Sequence, residues 1–369
     1  MMRFLFVAPS TATLGSGAGG GTELSLINLA RQLLLMGHQV HVLAAAGSRL
    51  PGIPMTTTSG VPTVSPVNQP RDLPIQVSVP SVLGNLWELA FQRHNEFDLV
   101  VNWGYEWLPL YLSGFFRVPV LHVIGQGSLT HALDAALQQV VERFPGSVAV
   151  HSHAQSATFR FAQSALQAGR DPFFVLPCGI DLTQYQFVEQ SDGSVCWVGR
   201  IAPEKGLEDC AALAQQMQQP VQILGRMQDV DYWYRIRRAF PEAPLKYRGF
   251  FATHDMQAIL GQAKAMLMTP KWIESFGVVV VEALACGVPV ISYRRGGPTE
   301  IIEDGVTGFL VEPDAVDQLQ AALGRLDQID RQACRHHAAA HYSLEAMAQS
   351  FLGWTETQLN RPKNYSSSK

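Results

Sequence analysis

Glu274 and Glu282 stand eight residues apart, on either side of a Phe-Gly step, in the stretch Pro270–Pro289 (PKWIESFGVVVVEALACGVP). If the residues after this step open a helix, its first amides have no internal partners and its N-terminus carries partial positive charge, which suits a phosphate. Glu274 then sits beside an anion site, and Glu282 lies about one and a half turns down the helix. A carboxylate that accepts from neighbouring hydroxyls is what sugar and ribose recognition needs. The same pair equally describes a helix-terminal charge that favours the dipole and a second, solvated glutamate.

A helix must therefore form where local propensity favours a strand, because Val278–Val281 are four β-branched residues in a row. A strand there leaves no room for the next one. Val288–Tyr293 (VPVISY) reads as a buried parallel strand, and Gly287 before it as the residue that ends a helix. Phe276–Cys286 is therefore expected as a short buried helix entered from a glycine-containing loop.

The remaining elements repeat one pattern. Arg3–Ala8 reads as a strand, residues 19–36 as a helix with Leu24, Ile27, Leu29, Leu33 and Leu34 on its apolar face, and His38–Ala45 as a strand, which makes a βαβ unit. Phe97–Trp103, Pro119–Ile124, Ser147–His151 and Phe173–Leu176 continue the set. A polar stretch, Gln184–Gly193, reads as a linker. A second set follows: strands Ser194–Val198, Val221–Leu224, Leu245–Arg248 and Ala265–Thr269, with helices over Gly206–Met217, Asp231–Phe240 and His254–Gln262 between them. Pro51–Pro80 holds seven prolines and reads as an irregular insertion or a pair of edge segments. Leu344–Leu359 reads as a helix and Asn364–Lys369 as disordered.

Two clusters border this framework. The loop Leu14–Gly21 (LGSGAGGG) formally contains the dinucleotide fingerprint, but the match lies several residues past its strand and the second strand ends in Ala44-Ala45-Ala46-Gly47 with no acid for a ribose. With no Lys after the last glycine it is no P-loop either. It reads as a flexible loop or, preferably, as one whose amides close over a phosphate. Asn102-Trp103-Gly104-Tyr105-Glu106-Trp107 follows a strand's carboxyl end, where open α/β sheets gather ligands. Its aromatic rings suit either stacking on a flat ligand or loop packing.

Composition narrows the class. The chain has 369 residues, enough for two cores. With 27 Lys+Arg against 31 Asp+Glu, a formal charge of −4, nothing suggests a nucleic-acid partner. No apolar run approaches the roughly 18–20 residues of a membrane span, and MMRFLFVAPS reads as a first core strand and not as a secretory signal. A cytoplasmic protein is expected, of unassigned oligomeric state. The five cysteines, Cys178, Cys196, Cys210, Cys286 and Cys334, are scattered without a C-x-x-C pair, and the close histidines His151/His153 and His336/His337 lack partners at metal spacing. Reduced thiols and no metal site are expected.

Glu274-x7-Glu282 with Phe276-Gly277 between, then Ala-Cys-Gly-Val-Pro-Val-Ile and Gly296-Gly297-Pro298-x-Glu300, resembles the signature of retaining family 4 glycosyltransferases. Val198-Gly199-Arg200 with Pro203-Glu204-Lys205-Gly206, Asp304–Val311, Pro177–Asp181 and Gly19–Glu23 resemble further elements of that family. The resemblance implies the GT-B fold: two facing Rossmann-like, doubly wound α/β domains. Residues 1–176 form the acceptor domain and residues 185–343 the donor domain, and the helix 344–359 crosses back to the first. It implies that Arg200 and Lys205 hold a donor diphosphate, Glu282 the ribose, and Glu274 with the Phe276-Gly277 loop the transferred sugar. Gly20 and Gly21 close over the donor. Arg200, Lys205 and Glu274 are the catalytic set, and no metal or other cofactor is required beside the nucleotide-sugar co-substrate. Many relatives carry a histidine after the Pro119–Ile124 strand, whereas Gly125 or Gln126 stands there here, which puts a general base in doubt.

Longer runs, Leu14–Leu24, Trp107–Leu112, Ile201–Asp209 and Met268–Trp272, resemble cyanobacterial UDP-glucose:tetrahydrobiopterin glucosyltransferases. That implies UDP-glucose as donor and tetrahydrobiopterin or a related pterin as acceptor, with Trp103, Tyr105, Trp107 and Gln126 as candidate acceptor residues. The alternatives are a family 4 enzyme acting on a polysaccharide or glycolipid, a nucleotide-sugar epimerase, and a non-catalytic nucleotide-sugar-binding subunit. A retaining glycoside hydrolase also uses paired carboxylates, about 5–5.5 Å apart across one bond, but leaves Arg200 and Lys205 unexplained.

Overall fold

Strands buried on both faces need apolar residues at nearly every position, and the sequence supplies them in short runs joined by helices, so the sheets are parallel. The computed structural model describes residues 1–15, 20–65, 67 and 69–361. β1 (Arg3–Val7), β2 (Gln39–Ala45), β3 (Met55–Thr58), β4 (Leu99–Asn102), β5 (Val120–Val123), β6 (Val148–Val150) and β7 (Phe174–Val175) form one sheet in the order β3-β2-β1-β4-β5-β6-β7. β8 (Val195–Val198), β9 (Val221–Leu224), β10 (Leu245–Gly249), β11 (Ala265–Met268), β12 (Val290–Tyr293) and β13 (Gly308–Val311) form the other, in the order β10-β9-β8-β11-β12-β13. All pairings are parallel. Strand order reverses at β1/β4 and again at β8/β11, so each sheet has a crevice where the loops after those two strands part.

The chain divides into one unit of Met1–Pro177 with the segment from Glu345 onward, and a second of Cys178–Leu344. The helix Leu344–Leu359 returns to the first unit's core: Met347, Ala348, Phe351 and Trp354 pack with Phe4 and Phe6. The Trp354 indole N–H donates to the Gly146 carbonyl at 2.7 Å.

Most expected elements form, trimmed by a residue or two at their ends, where helices and strands fray. Val278–Ala285 is a helix despite its valines, because burial of Val280–Ala285 in the core overrides β-propensity there. Among the described residues of the proline-rich insertion, Met55–Thr58 forms a strand at the sheet edge and no other strand appears. Gln184–Gly193 is not a free linker: Tyr185 is 4% exposed in the second core and the Val188 amide donates to Cys286. The strand Gly308–Val311 and the helices Val316–Leu323 and Arg331–Tyr342 are additions to the expected set. The centre of the glycine loop, residues 16–19, and Asn364–Lys369 lie outside the described residues.

Candidate active site

Arg200 follows β8, and Lys205 ends the short 3-10 turn Pro203–Lys205 before the helix Leu207–Met217, while Pro270–Glu274 follows β11. These are the two loops that part at the second sheet's switch point. Lys205 Nζ lies 2.5 Å from Glu274 Oε2, with the two side chains 18% and 13% exposed. The same oxygen accepts from the Trp272 indole N–H at 3.0 Å, and the ammonium sits 4.9 Å from the Trp272 ring centroid. Arg200 pairs with Glu204 at 2.9 Å and donates to Gln228, at 36% side-chain exposure. A pair that exposed contributes little to stability and is readily given up to a ligand.

Behind the loop, charges lock its path. Lys271 bridges Asp209 at 2.5 Å and Asp314 at 2.8 Å; Arg295 donates to the Pro270 carbonyl at 2.7 Å and pairs with Asp314 at 2.7 Å. Arg295 and Lys271 together hold the Asp314 carboxyl down to about 2. On the other side Gly296 and Gly297 leave no room for side chains, since a Cβ on either would lie 2.5 Å from backbone of Glu274 or Phe276.

Gly277 caps the helix Val278–Ala285 in a left-handed conformation, φ 95°. The Phe276 ring packs edge-on to Tyr342 and belongs to the core. Glu282, expected as ribose ligand or as a solvated charge, is 5% exposed and accepts from the Tyr185 hydroxyl at 2.6 Å. Burial raises its carboxyl above the ordinary range, against the pull of the Tyr185 hydrogen bond. It is therefore not a solvated surface charge.

The other expected residues belong to the first unit. Gly20 caps the helix Gly21–Leu35 and both glycines are exposed. In the first turn of that helix Glu23 reaches back to accept from the Gly15 amide at 2.6 Å. Trp103, expected near the acceptor, is a core residue: it is 1% exposed, its ring lies 5.8 Å from that of Phe6, and its indole N–H has no hydrogen-bond partner among the described residues. Strand alternation turns it inward. Tyr105 is 4% exposed and its hydroxyl donates to Asp134 at 2.8 Å, but it lines a cavity with Trp107 and Glu106. Trp107 stacks on Tyr111, with ring centroids 5.1 Å apart. Gln126 lies elsewhere, its carbonyl accepting from Gln155 at 2.8 Å. A Cβ on Gly125 would fall 2.1 Å from Thr22 Oγ1, so a side chain there requires the Thr22 side chain to move.

Two family profiles divide the chain between them: residues 19–184 match "Glycosyltransferase Family 4" and residues 186–340 match "Glycosyl transferases group 1". Both profiles describe glycosyltransferases, and the chain is one. It is a hexosyltransferase that uses a nucleotide sugar. The D-inositol 3-phosphate glycosyltransferase of Nocardia farcinica (strain IFM 10152) is 26% identical to the transferase over 92% of this chain and 85% of that one. The O-antigen chain mannosyltransferase B of Escherichia coli is 25% identical over 56% of this chain and 54% of that one. Among solved structures, Anabaena Alr3699/HepE in complex with UDP and glucose superposes with a TM-score of 0.73 at 21% identity, covering 97% of this chain and 100% of that one, a likeness of fold. Two parallel-sheet α/β domains are the fold of this transferase.

Sequence reasoning missed Trp272, Tyr185 and Gln228 as neighbours of the expected residues. Tyr185 and Glu282 are 97 positions apart, and nothing local to either one announces the contact. The transferase also places no group of three or more His, Cys, Asp or Glu side chains at metal-binding distance, and no helix long and apolar enough to cross a membrane, among the described residues.

Glu282→Gln separates the fold's interest from the site's. Its carboxyl is raised in the folded chain, so between the unfolded value of about 4.3 and the folded one the folded state binds more protons than the unfolded state. Stability therefore falls as pH rises through that window, and the cost persists at neutral pH. The amide still accepts from Tyr185 and carries no charge, so the variant melts higher than wild type at pH 7; if Glu282 also holds the donor ribose, as the family resemblance implies, its KM for the nucleotide sugar rises roughly ten- to hundredfold through loss of charge-assisted hydrogen bonds. Differential scanning calorimetry and donor kinetics on one preparation check both signs.

Proposed function

We propose that the enzyme transfers glucose from UDP-glucose, with retention at the anomeric carbon, to a hydroxyl of tetrahydrobiopterin or a related pterin. The observation that carries the donor half is the Lys205–Glu274 pair at the second switch point, beside Arg200 and the N-terminus of the helix Val278–Ala285. In the free enzyme each charge compensates the other. When the donor binds, the ammonium turns to the diphosphate and the carboxylate to the sugar hydroxyls, so neither buried charge is left unpartnered. As the bond from C1 to the diphosphate oxygen breaks, charge grows on the leaving group, and fixed positive groups aimed at it lower the barrier most. Arg200 grips phosphate oxygens as a planar fork and Lys205 as a point charge. With the helix terminus added, no divalent cation is needed.

UDP release from UDP-glucose by the purified protein, in EDTA, with and without tetrahydrobiopterin, tests the reading. Release that depends on the pterin and yields a glucosylated product is expected. Turnover that collapses in EDTA and returns with magnesium overturns the metal-free step. Binding of UDP-glucose without pterin-stimulated turnover removes the acceptor assignment and favours a polysaccharide, glycolipid or sugar-phosphate acceptor, in line with the names of the Nocardia and Escherichia relatives. Interconversion of sugars without transfer makes the protein an epimerase. Binding with no reaction of any kind makes it a nucleotide-sugar-binding subunit.

A further inference from the structure

The first unit has a switch point of its own, and a carboxylate occupies it. Ser10, after β1, and Glu106, after β4, come from the two loops that part there. The Ser10 hydroxyl donates to Glu106 Oε1 and stands 2.6 Å from Thr63 Oγ1, while the Ser10 amide reaches Oε2 only at 3.5 Å. Glu106 is 5% exposed. It occupies the cap position of the helix Trp107–Leu112 but accepts no helix amide. No Lys, Arg or His forms an ion pair with it among the described residues. Burial raises its carboxyl above the ordinary range, against the hydrogen bonds from Ser10 and Thr63.

A buried carboxylate without a cation is costly, and Glu106 also borders open space. It lines a cavity of about 170 Å³ whose walls include Thr63, Leu73, Tyr105, Trp107 and Thr130. Cavities of about 150 Å³ accept a single aromatic ring. Gly104 clears the carboxylate's position, since a Cβ there would lie 2.5 Å from Oε2. The Ser10 and Thr63 hydroxyls leave about two of a carboxylate's roughly four acceptor sites, one of them reached only by the Ser10 amide at 3.5 Å. A ligand edge with two adjacent N–H groups fills the rest as a guanidinium does, with two parallel hydrogen bonds.

We propose that Glu106 reads the acceptor: the cavity takes a flat heterocycle that presents a ring N–H and a neighbouring exocyclic amino group to this carboxylate, as the 2-amino-4-oxopyrimidine half of a pterin does. The identification of that ring with a pterin rests on the function proposed above; the carboxylate and its cavity do not. The rest of the acceptor, with its reacting hydroxyl, extends from the cavity mouth.

The probe is isocytosine, the 2-amino-4-oxopyrimidine half of a pterin by itself, with 4-hydroxypyrimidine, which lacks only the amino group, as control. By calorimetry the wild-type protein prefers isocytosine about tenfold or more, and E106Q loses that preference. In E106Q the KM for tetrahydrobiopterin rises by a similar factor and the KM for UDP-glucose stays put. The wild-type comparison of the two pyrimidines needs no variant, so it decides even if E106Q fails to fold. No binding of isocytosine, or equal binding of both pyrimidines, overturns the proposal even where the pterin is glucosylated. The proposal falls equally if E106Q keeps both acceptor KM and isocytosine affinity within twofold, leaving Glu106 as a staple between two loops. Glu106-dependent isocytosine binding in a protein that does not glucosylate tetrahydrobiopterin upholds the site and removes only the pterin.

Discussion

Lys205→Ala lowers kcat/KM for glucose transfer by about 10²–10³, the range found when one preorganised donor to a developing negative charge is removed, or roughly 2.7–4 kcal/mol of barrier. Most of the loss falls in kcat, because the diphosphate gains charge as it departs. The obvious objection is structural: Lys205 neutralises Glu274, which is 13% exposed, and deleting it strands that carboxylate. Full burial would make such a loss cost about 3–5 kcal/mol of stability. Partial exposure and the Trp272 hydrogen bond discount it here. The two accounts separate in K205A/E274Q. If Lys205 serves only to neutralise Glu274, the second change restores activity; if both residues hold the donor, the double variant is no better than K205A. Steady-state kinetics and UDP titration on the three proteins measure this, and K205A within threefold of wild type would remove Lys205 from the chemistry.

Phe351→Ala destabilises the first unit by about 3–5 kcal/mol, the usual cost of truncating a fully buried phenylalanine. Phe351 is 0% exposed and its ring lies 5.5 Å from Phe4, 6.0 Å from Phe6 and 6.0 Å from Trp354. At about 2–4 °C per kcal/mol for a unit of this size, the first unit's transition falls by roughly 6–20 °C. UDP affinity at 25 °C is unchanged, because the expected donor residues other than Gly20 and Gly21 lie in the second unit. Phe351→Leu, which keeps most of the volume, loses under about 1.5 kcal/mol. A scanning calorimeter reads the transition directly. A Phe351→Ala midpoint within 2 °C of wild type would mean that the tail helix is not part of that core.

Both predictions concern contacts between distant parts of the chain, and such contacts mark the limit of sequence reading. The helix Leu344–Leu359 was legible from its apolar period, and its return to the first domain came from family resemblance. Its docking on Phe4 and Phe6 is a property of the folded chain. The helix over Val278–Ala285 was legible against local propensity, because Gly287 and the following strand allowed no other element of that length. The loops after β1, β4, β8 and β11 were recognisable as strand ends, but the pairing of Ser10 with Glu106, 96 positions apart, was not. Glu106 sat in view between Tyr105 and Trp107 with no role assigned. Trp103 shows the converse failure. Both faces of β4 are covered, so the residue just past it is packed whichever face it takes, and Trp103 joins the core layer of Phe4 and Phe6.

By itself the sequence determined two alternating βα sets, the spacing of Glu274 and Glu282 about a helix N-terminus, and Arg200 and Lys205 upstream. These follow from apolar periodicity and backbone propensity, which act within a few residues. Only the tertiary structure decided that Lys205 rests on Glu274 and Trp272, that Glu282 is buried under Tyr185, that Gly125 packs against the Thr22 side chain, and that Glu106 is a carboxylate without a cation beside a cavity. A side chain's charge, partner and exposure depend on whatever the packing brings beside it. For these residues that neighbour comes from a distant segment of the chain.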